Sequence, residues 1–110
     1  MSEDYNDKYG IICEDNGWEV HEEEATVELG KQSPAGEDFW FTADKENFVD
    51  SVKQYAADFN IDEHIEMWIE ARNSGVSGVP STRELVKDAE DIDKMLQELA
   101  AVLAREEEKQ

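Results

Sequence analysis

Apolar and polar residues alternate in the first part of the chain and switch to a helical period after Thr42. Trp18 and Val20 alternate with Glu19 and His21, and Ala25, Val27 and Leu29 alternate with Thr26, Glu28 and Gly30. Period-two alternation marks a strand with one buried face. Phe39-Trp40-Phe41 predicts a further short strand after the turn-forming Ser33-Pro34-Ala35-Gly36-Glu37-Asp38. Tyr9 to Cys13 is apolar and β-prone and reads as the first strand. It joins Trp18 through Asn16-Gly17, a pair suited to the positive φ angles of a tight hairpin turn. Four strands with short connections predict an antiparallel meander.

Beyond Thr42, the residues Phe48, Val52, Tyr55, Ala56 and Phe59 recur at helical spacing, with Asp44 or Thr42 as the expected N-cap. Asp62 is expected to cap a second helix that carries Ile65, Trp68 and Ile69 on one side. Residues 73–80 read as a linker, and Ser81-Thr82-Arg83-Glu84 as a capping box. The third helix carries Leu85, Ala89, Ile92, Leu96, Leu99 and Leu103, widened by Val86, Met95 and Val102. Strands followed by helices indicate the α+β class. The expected architecture is a four-stranded antiparallel sheet in the N-terminal half with three helices packed on one face. That face is made by Trp18, Val20, Val27, Leu29, Phe39 and Phe41. Trp18, Phe41, Phe48, Val52, Trp68, Ile69, Ile92 and Leu96 are expected to be buried. Residues 1–8 read as a flexible acidic tail and 9–104 as a single domain. Residues 105–110 read as a frayed end, because three glutamates sit at the negative pole of the helix.

Composition sharpens this picture. A chain of 110 residues with 39% hydrophobic content can form one domain with a true core. Lys and Arg number 10 against 29 Asp and Glu, a net charge of -19. Such a surface is unsuited to direct contact with nucleic acid or an anionic membrane. No apolar run is long enough to span a bilayer, and Met1-Ser2-Glu3-Asp4 lacks the basic start of a signal peptide. Cys13 is the single cysteine and has no internal disulfide partner. Together these features predict a cytoplasmic location.

Catalytic and metal chemistry find little support. Cys13, His21 and His64 show no metal-ligand spacing, and Glu63-His64-Ile65-Glu66 lacks the second histidine of a zinc helix. The acidic run around Asp88, Asp91 and Asp93 falls inside a helix and lacks the turning glycine of a calcium loop. Gly75 to Ser81 precedes a helix but lacks the Gly-Lys-Ser/Thr of a phosphate loop. An acidic setting suppresses the Cys13 thiolate. No enzyme activity, metal or cofactor is expected. The near-heptad stripe of the third helix makes a homodimer possible, with packing on the sheet as the simpler use.

Charge is the feature that asks for an explanation. Tyr9 to Gly30 holds Glu14, Asp15, Glu19, Glu22, Glu23, Glu24 and Glu28 and no Lys or Arg. Asp62, Glu66 and Glu70 are four apart, with Glu63 beside them, and so share one helix face. Glu84, Asp88 and Asp91 repeat the pattern in the third helix. Neighbouring carboxylates on such a face lie roughly 5–6 Å apart at Cβ. That is within roughly a factor of two of the charge spacing along a nucleic-acid strand. A small domain stays soluble with a net charge of about 2–8, so a charge this large points to a use. The candidate partner-binding residues are Glu19, Glu22, Glu23, Glu24, Glu28, Asp62, Glu63, Glu66 and Glu70. Trp40 joins them as an apolar anchor, placed by alternation on the open sheet face beside Ile12; the alternative is a Trp40 covered by the N-terminal tail.

The stretch Glu66-Met67-Trp68-Ile69-Glu70-Ala71-Arg72, followed by Gly75-Val76-Ser77-Gly78-Val79-Pro80-Ser81, adds a resemblance. With the small size, the acidic balance and the order of elements, it resembles small accessory proteins carried by bacteriophages and conjugative elements. The likeness is strongest over Asp38 to Leu103. Some of those proteins are anti-CRISPR or anti-restriction inhibitors, and several imitate DNA. The resemblance implies a non-enzymatic inhibitor that binds the basic groove of a nucleic-acid-binding nuclease, and it transfers no functional residue. The alternatives are an acidic adaptor for an unrelated basic partner and a merely solvated acidic surface.

Overall fold

Alternation builds the sheet as the pattern predicts. In a computed structural model that describes residues 4–34, 36, 38–73 and 82–109, the strands are β1 (Glu19–Glu22), β2 (Thr26–Gln32) and β3 (Asp38–Asp44). They form an antiparallel meander in the order β1-β2-β3. Leu29 pairs with Val20 on one side and Phe41 on the other, and Val27 pairs with Ala43. Val27, Leu29, Phe39, Phe41 and Ala43 are buried on one face, while Val20 packs half-buried at its margin. The helices are α1 (Asp7–Asp15), α2 (Phe48–Asp58), α3 (Ile61–Asn73) and α4 (Thr82–Glu108). The fold is therefore α+β, with three strands and four helices among the described residues in place of the expected four and three.

The difference lies in the segment expected as a first strand. Tyr9 to Cys13 belongs to α1. Asn6 caps it by accepting the Lys8 N–H at 3.0 Å. Tyr9 and Cys13 stand four apart, which puts both on one helix face, and both are fully buried; Ile11, off that face, is 58% exposed. Asn16-Gly17 ends the helix and does not turn a hairpin. Gly17 has φ +88, its N–H donates to Glu14 O at 3.0 Å, and the Trp18 N–H donates to Cys13 O at 3.0 Å. These two bonds make a Schellman cap, which needs a left-handed residue just as a hairpin turn does. Lys31 secures the cap from β2 by donating to Asn16 O at 2.9 Å.

Within the segment expected as a tail, Asp4 and Tyr5 bond to the fold, while residues 1–3 lie outside the described residues. The Tyr5 N–H donates to Lys45 O at 2.8 Å, and the Tyr5 ring meets Phe48 edge-on at 5.1 Å. Asp4 accepts the Asn47 N–H at 3.0 Å. At the far end, α4 continues through Arg105 to Glu108.

The helix starts differ in detail from expectation. Thr42 and Asp44 are strand residues, and α2 starts after Asn47, which adopts a left-handed φ of 52. Asn60, not Asp62, caps α3 by accepting the Glu63 N–H at 3.1 Å. Ser81 and the linker residues 74–80 lie outside the described residues.

The helices do not form one layer on the sheet. α2 returns along β3, burying Phe48, Val49, Val52 and Ala56, and Tyr55 stacks on Phe41 at 4.5 Å. α1 lies against β1, and α4 packs behind on α1, α2 and α3 through Ile92, Met95, Leu96, Leu99, Ala100 and Leu103. α3 leans on α4. Of the expected core, Trp18, Phe41, Phe48, Val52, Ile92 and Leu96 are buried. Ile69 is only half-buried, because α3 is peripheral; the Trp68 side chain lies outside the described residues.

Two substitutions test this packing in urea titrations. Leu96→Ala is expected to lower the unfolding free energy by about 2–5 kcal/mol, and an unchanged midpoint would place the α4 stripe at the surface. Gly17→Ala should destabilise by roughly 1–2 kcal/mol, because a Cβ strains the left-handed cap.

Candidate functional site

The open face of the sheet carries the residues that alternation turns away from the core. Glu19, Gly30 and Trp40 stand in one rank across the three strands, and His21, Glu28 and Thr42 in the next. Trp40 lies over Gly30, where any Cβ would collide with the indole, and His21 meets its ring edge-on at 5.3 Å. The indole is thus held in place yet stays 40% exposed. Its neighbours are Gly30 and His21, not the expected Ile12, which α1 carries half-buried against the core.

The candidate carboxylates fall into separate groups. Glu22, Glu23 and Glu24 sit at the β1–β2 turn, closed by the Glu23 N–H donating to Thr26 O at 2.9 Å. Glu22 pairs with Lys45 at 3.1 Å, which reduces the charge of that tip. Glu19 lies at the opposite end of β1, 3.9 Å from His21. Glu28 is half-buried in mid-sheet. Asp62, Glu63, Glu66 and Glu70 are exposed on α3, and among the described residues none of the four forms an ion pair. The third expected row fails at Asp88, which is buried and accepts a hydrogen bond from the Ser33 hydroxyl, tying the end of β2 to α4.

Sequence reasoning missed a groove along the outer edge of β3. Because α2 runs back beside β3, one wall is the strand edge and the other is α2 and the start of α3. A cavity of ≈ 590 Å³ lies between Asp38 and Trp40 on one side and Tyr55, Asp58, Glu63 and Met67 on the other. A second, of ≈ 470 Å³, continues past Thr42, Asp44, Glu46 and Ser51 and shares Tyr55 and Asp58 with the first. Among the described residues no Lys or Arg lines either cavity. Burial beside Phe59 holds the His64 imidazole below its ordinary pKa, so it adds no positive charge at neutral pH. Asp38 and Asp44 flanking a strand were visible signals; that α2 brings Asp58 opposite them was not.

Other chemistry is sparse. Among the described residues no group of His, Cys, Asp and Glu is placed to hold a metal, and no helix is long and apolar enough to cross a membrane. Burial, with Glu14 nearby, pushes the Cys13 thiol up to about 12. Burial and then Glu22 push the Tyr5 hydroxyl up to about 12 as well.

The chain matches no protein-family model, and no curated protein or solved structure shows significant similarity to it. The site must be read from its own geometry.

That geometry makes Cys13 inert while folded. Alkylation by iodoacetamide at pH 8 should proceed only at the rate of unfolding. Both raised groups favour the neutral form in the folded state. Their contribution to stability is therefore complete below the unfolded values of 9.0 and 10.0 and is lost as pH rises toward about 12. Urea midpoints should fall across that window, and Cys13→Ser should flatten its lower part.

Proposed function

We propose that the protein is a non-enzymatic inhibitor of a host nucleic-acid-acting defence protein, of the anti-CRISPR or anti-restriction kind, which docks carboxylates where a basic groove takes phosphates. The observation that carries this reading is the row of Asp62, Glu66 and Glu70 on α3, exposed and without ion pairs among the described residues. At 1.5 Å rise per residue, carboxylates four apart recur about every 6 Å along a straight rod. Unneutralised charge on a rigid element also steers a basic partner to the surface and speeds association. The Glu22, Glu23 and Glu24 tip supplies a second, partly neutralised contact.

An adaptor for an unrelated basic partner is the second reading. It is favoured by Trp40 and Met67, exposed at 40% and 57%, which are apolar where a phosphate mimic needs charge.

Affinity capture from host lysate tests the proposal. The bound protein should be a nuclease, released by added duplex DNA and by salt, since the Debye length shrinks from about 10 Å at 0.1 M to about 3 Å at 1 M. Reversal of Asp62, Glu66 and Glu70 to Lys should weaken capture with the far-ultraviolet spectrum unchanged. Binding that survives this reversal, the same reversal at Glu22, Glu23 and Glu24, high salt and DNA competition would overturn mimicry.

A further inference from the structure

We infer that the outer edge of β3 is a docking site for an extended, lysine- or arginine-bearing segment of a partner protein, which adds to the sheet as a fourth strand. This goes beyond the reading of the Asp62, Glu66 and Glu70 row, since it concerns the backbone edge of β3 and a peptide ligand.

β3 ends the sheet, and among the described residues its one strand neighbour is β2. The direction of its backbone follows from two bonds. The Lys45 N–H turns inward to Ala25 O at 3.0 Å, and the Asp44 N–H turns outward to Ser51 Oγ at 2.9 Å. Alternation then turns the N–H and C=O of Thr42 and Trp40 outward with Asp44, into the groove. Ser51 satisfies Asp44; Thr42 and Trp40 lie further along the same edge. Proteins commonly blunt such an edge with lysine, proline or a bulge. β3 contains none of these: Asp38 to Asp44 pairs with β2 in unbroken register.

The lining chooses the occupant. An added strand places alternate side chains toward the open face, where Trp40 is exposed, and toward the end of α2 and the start of α3, where Asp58 and Glu63 stand. Glu46 and Asp44 continue the negative charge beyond Thr42. A second copy of this chain is a poor fit, because centred antiparallel pairing of two β3 strands sets Asp38 opposite Asp44 at both ends. An acidic segment meets the same repulsion. A basic one gains backbone hydrogen bonds and charge pairing together.

The test uses an acetylated, amidated Lys-Val alternating octapeptide, titrated into the ¹⁵N-labelled full chain. The expected result is selective shift and slowed hydrogen exchange of the Trp40 and Thr42 amides. A Glu-Val counterpart should not bind, and alternate N-methylation of the Lys-Val peptide should abolish binding. Asp58→Lys with Glu63→Lys should weaken binding about tenfold, and Thr42→Pro should remove it by deleting one edge donor. If Thr42→Pro does not fold, the N-methylated peptide decides the same point. Equal binding of the N-methylated peptide would reduce the site to charge alone and overturn the proposal. So would Trp40 and Thr42 amides already protected in the free protein, whether at every concentration (an edge already covered) or increasingly with concentration (a second copy). The peptide carries no nucleic-acid site, so failure here leaves the α3 reversal experiment to judge mimicry on its own.

Discussion

Everything in this fold hangs on the apolar stripe of α4. A three-stranded sheet with one polar face cannot bury its other face alone, and α2 covers only part of what is exposed. Ile92, Leu96, Leu99 and Leu103 are fully or almost fully buried and supply the second wall of one continuous core. Because α4 is long, it also collects α1 at one end and α3 at the other. The elongated outline, 48 × 25 × 22 Å, is set by that helix.

The same packing determines where the charge can go. A net charge of -19 opposes compaction, so carboxylates must face water or be satisfied. Asp88 takes the second course, buried with the Ser33 hydroxyl as its donor. Exposed acids gather at the hairpin tip, on α3 and along the β3 edge groove, with others on α1 and α4. The surface is therefore several acidic patches of different shape. A helix row suits a rigid phosphate-binding groove, whereas a strand edge with Trp40 beside it suits a peptide. The open sheet face stays ordered through Gly30, whose missing Cβ lets the indole lie flat across the strand.

Much of the layout was legible in the sequence. Alternation located three strands within a few residues, and helical spacing located α2, α3 and α4, because each pattern reports directly which face is dry. The misreading of α1 has a local cause. Ile11-Ile12-Cys13 is β-prone, and Asn16-Gly17 answers equally to a hairpin and to a Schellman cap, since both need positive φ. The four-residue spacing of Tyr9 and Cys13, with Asn6 ahead of it, was the signal that separated the two.

For the candidate site, the sequence by itself determined the amount of negative charge, the shared face of Asp62, Glu66 and Glu70, and the outward direction of Trp40, all consequences of period and composition. Tertiary structure alone decided which acids stay exposed and which elements meet. Nothing local in Asp88 distinguishes it from its exposed neighbours until Ser33 arrives from β2 to bond it. Nor does any local pattern bring Asp58 opposite Asp38 or open the groove between them. That depends on α2 turning back along β3, a contact between residues distant in sequence that exists only once the core has closed.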